Sequence, residues 1–373
     1  MLTTRRSFLE ASALLAATAT LPGLVKAQTT PAAKSSFAVP APDHFLPVTD
    51  ATAIDGYFAA ETPPALLCRS GQVVKIDTVN LAGMPRTGLD EFVTKYKIPT
   101  DNPAVREMIS IRRNVPPSGV RGHMMNGPIY IEEAEPGDIL EVRVLAIEPR
   151  TPFGVNSGRP GGGGLPDLVQ TPWTSVIWFD AAKKFAVFSD KISIPLAPFF
   201  GVMGLCPAPG SGKLSSIPPY LNLAGNLDNR HLGIGSTLYL PVQTKGALFQ
   251  TGDGHTVQGN GEVSGTAIET SLAGTFQFIV HKGKPPLLAP RAETATHHIT
   301  HGLDPELVIA MRGALKEAIA FLGQHHGLSF NEGLSLCSNA VDLEITQVVN
   351  GTKGVHAMIP KHLFPAAPYW FTS

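Results

Sequence analysis

Short runs in which apolar and polar residues alternate dominate the chain from about residue 46 to residue 280. Because side chains two residues apart lie on the same face of a strand, each such run predicts a half-buried strand. Glu135-Pro136-Gly137-Asp138 fits a type II turn and precedes the clearest run, 139–147. One face of that run carries Leu140, Val142, Val144 and Ala146. Similar runs predict strands at 175–179, 185–188, 237–240 and 275–280.

Helical spacing replaces much of this alternation after about residue 290. Asp304 and Pro305 are the expected N-cap and first residue of a helix that extends to Gly323. Its expected apolar stripe consists of Val308, Met311, Leu315, Ile319 and Leu322. Ser329-Phe330-Asn331-Glu332 fits a capping box at the start of a second helix. A strand is predicted at 341–349, with one face formed by Val341, Leu343 and Ile345.

Many short strands separated by Gly and Pro favour a sandwich or a barrel over a doubly wound sheet. We therefore predict a mainly β fold, β-rich to about residue 290, with an α+β part over 291–373. A Gly-rich connection at 152–167, which contains Gly161 to Gly164, is expected to be a mobile loop or a lid over a site.

The N-terminal pattern predicts a targeting segment. Thr4-Arg5-Arg6-Ser7-Phe8-Leu9 precedes a weakly apolar run, and Val25-Lys26-Ala27 offers a cleavage site. Paired arginines in this context predict a twin-arginine signal over residues 1–27, and hence a periplasmic or secreted protein carried by the twin-arginine export machinery. An ordinary secretory signal or an uncleaved anchor is the alternative. Residues 28–43 are rich in Ala, Thr, Ser and Pro and predict a disordered linker before a domain over 44–373.

Composition excludes some classes of partner. A net charge of −1, with only 16% charged residues, gives no electrostatic basis for binding nucleic acid. No apolar run approaches the roughly 20 residues of a membrane span, so we expect no stable membrane insertion. Cys68, Cys206 and Cys337 are too widely spaced for a zinc motif or a disulfide framework. We expect buried thiols, with oxidation of one pair after export as the alternative.

The segment from Leu248 to Glu269 holds the densest set of groups that bind metals or move protons: Asp253, His255, Glu262 and Glu269. On a strand, Asp253 and His255 point to one side, and a Gly-rich reversal could return Glu262 opposite them. Two carboxylates and an imidazole are suitable ligands for a divalent cation that keeps a position for water. A free carboxylate beside it could act as general base. The same spacing also fits a Gly-rich turn with a hydrogen-bonded histidine.

Two further clusters are candidates for metal binding. Asp228, in the polar run Gly225 to His231, could complete a metal shell or bind a second cation, or it could belong to an Asn/Asp turn. His298 and His301, with His297, could chelate a metal if their stretch were helical. A polar connection is the alternative.

Both central clusters lie in AGNLDNRHLGIGSTLYLPVQTKGALFQTGDGHTVQGNGEVSGTAIE, which resembles the signature of the acetamidase/formamidase family. Three more blocks resemble the family in order: MNGPIYIEEAEPGDILEV, IPLAPFFGVMGLCPAP and DLEITQVVNGTKGVHAMIPKHLF. The resemblance covers roughly residues 44–365. It implies hydrolysis of formamide, acetamide or similar short amides, a jelly-roll-like β-sandwich core packed with a few helices, and a homo-oligomer, for which we expect a dimer.

The resemblance also implies site residues. The family's proposed catalytic group matches Asp253, His255 and Glu262, with zinc or calcium as the metal, and we favour zinc. Asp253 and His255 are then metal ligands, Glu262 is the general base or a third ligand, and Asp228 is a supporting ligand. His123 and Asn226 are expected at the substrate pocket. Three further residues either shape that pocket or pack in the core: Phe199, Phe200 and Met203.

The chain departs from the family pattern at Asn260, where Asp is usual, and also at Ser264, Glu133 and Ala224. These departures leave the substrate preference and any second cation site open. A nucleophilic Cys206 is a rival mechanism, although no recognisable lysine and glutamate pair accompanies it. The predicted function is a metal-dependent hydrolase of short amides. The alternative is an exported small-molecule-binding protein of the same fold without turnover.

Overall fold

The computed structural model describes residues 38–365 and 369–370. The predicted signal over residues 1–27 and most of the predicted linker lie outside the described residues. Asp43, the last residue of that linker, donates its backbone N–H to the carbonyl of Val73 at 2.8 Å. The ordered hydrogen-bonding network therefore includes the residue directly before the first strand.

The described part of the chain consists mainly of strands. The first eleven are β1 His44–Leu46, β2 Ala53–Asp55, β3 Tyr57–Phe58, β4 Leu66–Cys68, β5 Val73–Asp77, β6 Met124–Ile131, β7 Ile139–Pro149, β8 Phe153–Gly158, β9 Trp173–Phe179, β10 Phe185–Ser189 and β11 Ile192–Pro195. The next eleven are β12 Phe199–Gly204, β13 Leu214–Ser215, β14 Pro219–Tyr220, β15 Ala224–Asn226, β16 Thr237–Pro241, β17 Phe249–His255, β18 Leu272–His281, β19 Arg291–Glu293, β20 His297–Asp304, β21 Asp342–Gln347 and β22 Lys353–Pro360. The helices are α1 Leu89–Lys95, α2 Pro103–Asn114, α3 Leu307–His326 and α4 Phe330–Ala340, with a 3-10 turn at Lys361–Leu363.

Two large sheets organise these strands. One has nine strands in the order β1-β5-β18-β7-β16-β19-β20-β22-β21. The other follows the order β14-β15-β12-β17-β6-β2, with β4 beside β6. Smaller sheets are β11-β10-β9-β8 and the pair β13-β3. Neighbouring strands are antiparallel except for β1 with β5 and β4 with β6. The prediction of a mainly β fold is confirmed.

The two large sheets pack face to face across the main core. The ring centroid of Phe249 on β17 lies 5.0 Å from that of Phe278 on β18. Phe200 on β12 lies 5.4 Å from Phe276, also on β18. Each fully buried phenylalanine contributes on the order of 2 kcal/mol of transfer free energy, so this aromatic layer holds the sheets together. The jelly-roll connectivity stays a prediction.

Strand β7 confirms the predicted turn and strand but corrects one face. The N–H of Asp138 donates to the carbonyl of Glu135, and Gly137 has φ 95°, as a type II turn requires. Against β18, Ala146 pairs with Thr275 but the next pair skips Leu145. This bulge offsets the alternation, so Ile147 enters the core where Ala146 was predicted.

The C-terminal part extends the nine-stranded sheet, and α3 packs on β20 and β22. Helix α3 begins at Leu307 with Glu306 as N-cap, two residues later than predicted, because Asp304 is still the last residue of β20. Most of the predicted apolar stripe is confirmed, because Ile319 and Leu322 are buried and Met311 and Leu315 are partly buried. Val308 is exposed, and the buried face also contains residues outside the stripe: Ala310, Ala314, Ala318 and Phe321.

Close contact between helix and strand explains why three of the buried residues of α3 are alanines. A Cβ on Gly302 of β20 would lie 1.9 Å from the carbonyl oxygen of Ala310, so the helix backbone rests on the strand. The capping box of α4 is confirmed, because Ser329 and Glu332 bond to each other's backbone N–H groups. Strand β21 forms the sheet edge, and its apolar face is partly exposed at Leu343 and Ile345.

Two features of the first half were not predicted. Helices α1 and α2 interrupt the β-rich region, although Asn102 followed by Pro103 is a recognisable N-terminal signal: the Asn102 side chain accepts from the N–H of Val105. The Gly-rich connection at 152–167 begins with a strand, β8, so only its second half is a loop. None of the helices in the described residues combines the length and the apolar character of a membrane-spanning segment.

Candidate functional site

Four carboxylates surround one buried histidine at the end of β17, beside β12. Asp253 and His255 lie at the end of β17, and Asp228 follows β15. Glu262 and Glu269 both lie in the loop between β17 and β18. Nε2 of His255 lies 3.3 Å from Oδ2 of Asp253 and 3.2 Å from Oε2 of Glu269. Ligand atoms of Asp228, His255 and Glu262 all lie within 4.8 Å of one another. The four metal ligands predicted from the sequence therefore meet at one place.

Unusual backbone conformations aim these carboxylates inward. Asp228, Asp253 and Glu262 have φ of 49°, 53° and 47°, in the left-handed region that costs a non-glycine residue roughly 1 kcal/mol or more. Gly254 lies beside Asp253 at a place where a Cβ would be 2.4 Å from the carbonyl oxygen of Thr270. Tight backbone packing thus holds the strained backbone of Asp253 near the end of β17.

Gly201 on β12 leaves the space into which the site projects. A Cβ at this position would lie 2.5 Å from Oδ1 of Asp228, 2.7 Å from Oδ2 of Asp253 and 2.9 Å from Cε1 of His255. Two carboxylate oxygens and the imidazole edge therefore surround one small volume, and only a glycine on the opposing strand keeps that volume open.

Amide side chains orient the ionisable groups. Nδ1 of His255 lies 3.0 Å from Oε1 of Gln258, which directs Nε2 toward the carboxylates. Nδ2 of Asn80 donates to Oε2 of Glu269 at 2.6 Å, and Nδ2 of Asn350 donates to Oδ2 of Asp228 at 2.6 Å. Sequence reasoning missed these three amides, because the chain brings Asn80 and Asn350 to the site from more than 100 residues away.

Three buried atoms at the centre make no well-formed hydrogen bond within the described residues: Oδ1 of Asp228, Oε2 of Glu262, and Nε2 of His255, which lies only at ion-pair distance from Asp253 and Glu269. A buried polar group without a partner costs about 1–3 kcal/mol, and more when it is charged. Since the three atoms come from residues that converge, one cation would satisfy them together. The donor set of carboxylates and one imidazole therefore fits a divalent cation.

The electrostatics support the same interpretation. Burial raises the pKa of Glu262 to about 8, with His255 opposing and Glu269 adding to the shift. Burial likewise raises the pKa values of Asp228 and Glu269. Burial opposes the charged form of His255, but Glu269 and Asp253 outweigh it and raise its pKa. Burial also opposes ionisation of Asp253, yet His123 and His255 lower its pKa. Without added positive charge, the carboxylates do not all ionise at neutral pH.

In a chelating buffer, we expect the wild type to lose stability relative to Glu262→Gln as pH rises from about 5 to about 8. The ordinary pKa of Glu262 is 4.5 and the folded value is about 8, so between them only the unfolded state releases the proton. Rising pH therefore favours unfolding of the wild type but not of the neutral variant. Melting curves of both proteins from pH 5 to pH 9 measure this difference in stability. At pH 8, addition of a divalent cation should make the wild type more stable than the variant. A difference in Tm that stays constant with pH would contradict the shift.

A small cavity of about 130 Å³ opens beside Asp253. Polar groups that line it are Asp55, Asn80, Arg112, His123 and Asp253. Nε2 of His123 lies 3.7 Å from Oδ2 of Asp253.

Of the five residues predicted for the substrate pocket, four do not line this cavity. Phe200 and Met203 pack in the main core. Phe199 packs edge-on against His255, with ring centroids 5.1 Å apart. Asn226 on β15 is buried and donates to the carbonyl of Ile217. Of the five, His123 lines the cavity.

The other rival groups do not form a reaction centre. His297, His298 and His301 lie on a strand, β20, and not on a helix. His301 bonds to Asn229 and to the carbonyl of Pro290. Burial raises the pKa of Cys206 to about 11, which makes it a poor nucleophile at neutral pH. Cys68 and Cys337 are also buried free thiols, so the expectation of buried thiols is confirmed.

Known proteins resemble this chain along most of its length. The sequence profile of the Acetamidase/Formamidase family matches residues 116–211 and 210–366. The chain belongs to this family. Relatives of this acetamidase/formamidase family member include an acetamidase of Mycolicibacterium smegmatis, 26% identical over 38% of this chain and 49% of that protein. A formamidase of Methylophilus methylotrophus is 25% identical over 61% of this chain and 73% of that protein.

Solved structures agree with the family assignment. The crystal structure of an acetamidase from Bacillus halodurans aligns with a TM-score of 0.71 and 28% identity, over 86% of this chain and 98% of that one. An acetamidase from Yersinia enterocolitica aligns with a TM-score of 0.72 and 25% identity, over 89% and 96%. The match with the Mycolicibacterium acetamidase spans about half of that protein's length, 49%.

Proposed function

We propose that this family member hydrolyses short linear amides to a carboxylate and ammonia with the help of one divalent cation, zinc favoured and calcium possible. The carrying observation is the convergence of three buried atoms that lack a well-formed hydrogen bond, from Asp228, His255 and Glu262, at one point beside Gly201 of β12. The names of the relatives, acetamidase and formamidase, supply the reaction class. A jelly-roll-like core is the fold that we propose for this site.

The proposed ligands are Asp228, Asp253 and His255, which surround the space beside Gly201. A divalent cation bound there would supply Lewis acidity for the amide carbonyl and for the attacking water. Asn80 and Gln258 keep Glu269 and His255 in place by the hydrogen bonds described above.

Glu262 is the proposed general base, with ligation as its alternative role. Its Oε2 is buried and unpartnered, and its pKa of about 8 lies near neutral pH. A carboxylate of this basicity takes a proton from water and returns it to departing ammonia. Glu262 therefore performs the proton transfers, while Asp228, Asp253 and His255 define where the carbonyl lies.

The cavity beside Asp253 is the proposed substrate pocket. Its volume of about 130 Å³ leaves room for a small amide such as formamide or acetamide. Its polar lining includes Arg112 and His123, which can hold an amide by hydrogen bonds. The names of the relatives, acetamidase and formamidase, lead us to expect a preference for short amides.

A substrate panel with metal removal tests the proposal. Protein purified without a histidine tag is assayed for ammonia release from formamide, acetamide, propionamide and benzamide. We expect turnover of the two smallest amides, a loss of about tenfold or more after dialysis against a chelator, and recovery with zinc or calcium. A fully active preparation free of metal would refute the metal dependence. Binding of acetamide without ammonia release would instead favour the small-molecule-binding alternative.

We further propose that the protein acts after twin-arginine export, in the periplasm or outside the cell, as a homo-oligomer with a dimer favoured. The paired arginines Arg5 and Arg6 support the route. Cell fractionation of wild type and a variant with both arginines replaced by lysine would test the location.

A further inference from the structure

A second group of metal-binding side chains lies outside the proposed catalytic centre. His231 follows the loop that carries Asp228, Glu344 lies on β21, and His356 lies on β22. Oε2 of Glu344 is 3.2 Å from Nε2 of His231 and 3.3 Å from Nε2 of His356. The two imidazole rings are 5.2 Å apart and nearly perpendicular. Two ring nitrogens and one carboxylate oxygen thus face a common point.

His356 has the environment of an oriented ligand. Its side chain is 0% exposed, and its Nδ1 lies 2.7 Å from Oγ1 of Thr346. Nε2, the nitrogen that faces Glu344, makes no hydrogen bond in the structure despite its burial. A hydrogen bond on one ring nitrogen that leaves the other directed at a carboxylate is the arrangement found around metal-bound histidines.

Access and a fourth donor are also available. The side chains of His231 and Glu344 are 27% and 30% exposed, so a cation and a water molecule can reach the cluster from solvent. The amide of Asn260 contacts the same oxygen of Glu344. Because amide nitrogen and oxygen are assigned from their hydrogen bonds, the reversed amide would present an oxygen to the cluster. Two imidazoles and one carboxylate suit zinc or a similar transition-metal ion better than calcium, which prefers oxygen ligands.

We propose that His231, Glu344 and His356 form a second cation site of the zinc type that braces the loop carrying Glu262. Gly261, next to Glu262, donates its N–H to the carbonyl of Thr346 at 3.0 Å. The carbonyl of Gly261 accepts from the N–H of Val348 at 3.1 Å. These bonds attach the loop to the continuation of β21, on which Glu344 lies.

A cation at this cluster joins three segments: the loop with Asp228 through His231, β21 through Glu344, and β22 through His356. His231 is fixed relative to its loop because its backbone N–H donates to Oδ1 of Asn229. The three residues are therefore positioning residues, since they act on Glu262 and Asp228 through the backbone and do not touch the cavity beside Asp253.

Zinc stoichiometry of the full chain tests the proposal. Protein purified without a tag is stripped with a chelator, and bound zinc is counted after equilibrium dialysis at micromolar zinc. We expect His356→Gln and His231→Asn each to lose one equivalent of zinc relative to the wild type. His362→Gln removes an exposed histidine outside the cluster and should keep the wild-type count, which makes it the matched control.

A His255→Gln background separates this site from the catalytic one. In that background the remaining zinc should disappear when His231→Asn is added, whether or not the protein ever hydrolyses an amide. Unchanged zinc counts in both His231→Asn and His356→Gln, with melting curves that show folded protein, would overturn the second site. If His356→Gln does not fold, the partly exposed His231→Asn decides the outcome alone. Cobalt in place of zinc gives an independent readout, because its visible absorption reports the coordination geometry of a bound ion, which a purely structural role of these residues would not produce.

Discussion

Glu262→Gln should lower kcat for acetamide by about 10³-fold while the protein stays folded and keeps its cation. The amide of Gln has the size of the carboxyl but accepts no proton, and general acid–base catalysis typically contributes 10²–10⁴-fold. Glu262 is the carboxyl that combines burial, an unpartnered oxygen and a pKa of about 8. KM should change little, because the cavity beside Asp253 does not include Glu262 among its lining residues.

Steady-state ammonia release and metal content, measured on the same preparations, check this expectation. Glu306→Gln removes an exposed glutamate far from the site in sequence and serves as the control with unchanged kcat. Loss of the cation together with kcat would show that Glu262 is a ligand. Equal ammonia release from the variant and the wild type would defeat its catalytic assignment altogether.

Gly201→Ala should reduce kcat/KM by at least about 100-fold. The added methyl group would lie 2.5 Å from Oδ1 of Asp228 and 2.7 Å from Oδ2 of Asp253, so both carboxylates must move or the cation is excluded. Displacements of about 1 Å in a reaction centre cost roughly that factor. Gly201 is not in the left-handed region, so alanine can adopt its backbone conformation and the fold should survive. Overpacking at one buried position destabilises by about 1–3 kcal/mol.

Gly259→Ala is the matched control, because a Cβ at Gly259 meets no atom within 4 Å and Gly259 also lacks a left-handed φ. Kinetics, metal content and thermal melting of the two variants are compared side by side. A Gly201→Ala enzyme with wild-type kcat/KM would show that the convergence of Asp228 and Asp253 beside this glycine is irrelevant to turnover.

The residues with positive φ show why the sequence predicted one part of the site and not the other. Asp253 and His255 are two residues apart, and side chains at that spacing share a face of a strand such as β17, so their proximity follows from local geometry. Glu262 and Asp228 reach the same point through φ values of 47° and 49° that no periodic pattern predicts. The Gly-rich reversal suggested that Glu262 returns opposite His255 and the polar run suggested Asp228 as a ligand, but the resemblance to the family was needed to assign both residues to this site.

Local sequence patterns did not identify the site residues that lie far along the chain from their partners. Asn80 and Asn350 hold Glu269 and Asp228 by hydrogen bonds, yet nothing in their own sequence neighbourhoods marks them. Glu269 was recognised as a polar group but not assigned to the site, although its Oε2 lies 3.2 Å from His255. Helix α2, which brings Arg112 to the cavity, was missed despite its Asn-Pro start.

The sequence by itself determined the mainly β character, the type II turn before β7, the capping box of α4 and the Asp-x-His pair on β17. These depend on side-chain alternation, on the φ preferences of Pro and Gly, and on contacts within a few residues. The tertiary structure decided that alanines of α3 touch the sheet, where β7 bulges, and how four carboxylates from three segments surround His255. Those outcomes depend on how closely separate backbones approach, as at Gly201 and Gly302. Local sequence patterns do not predict such distances between segments that are far apart in the chain.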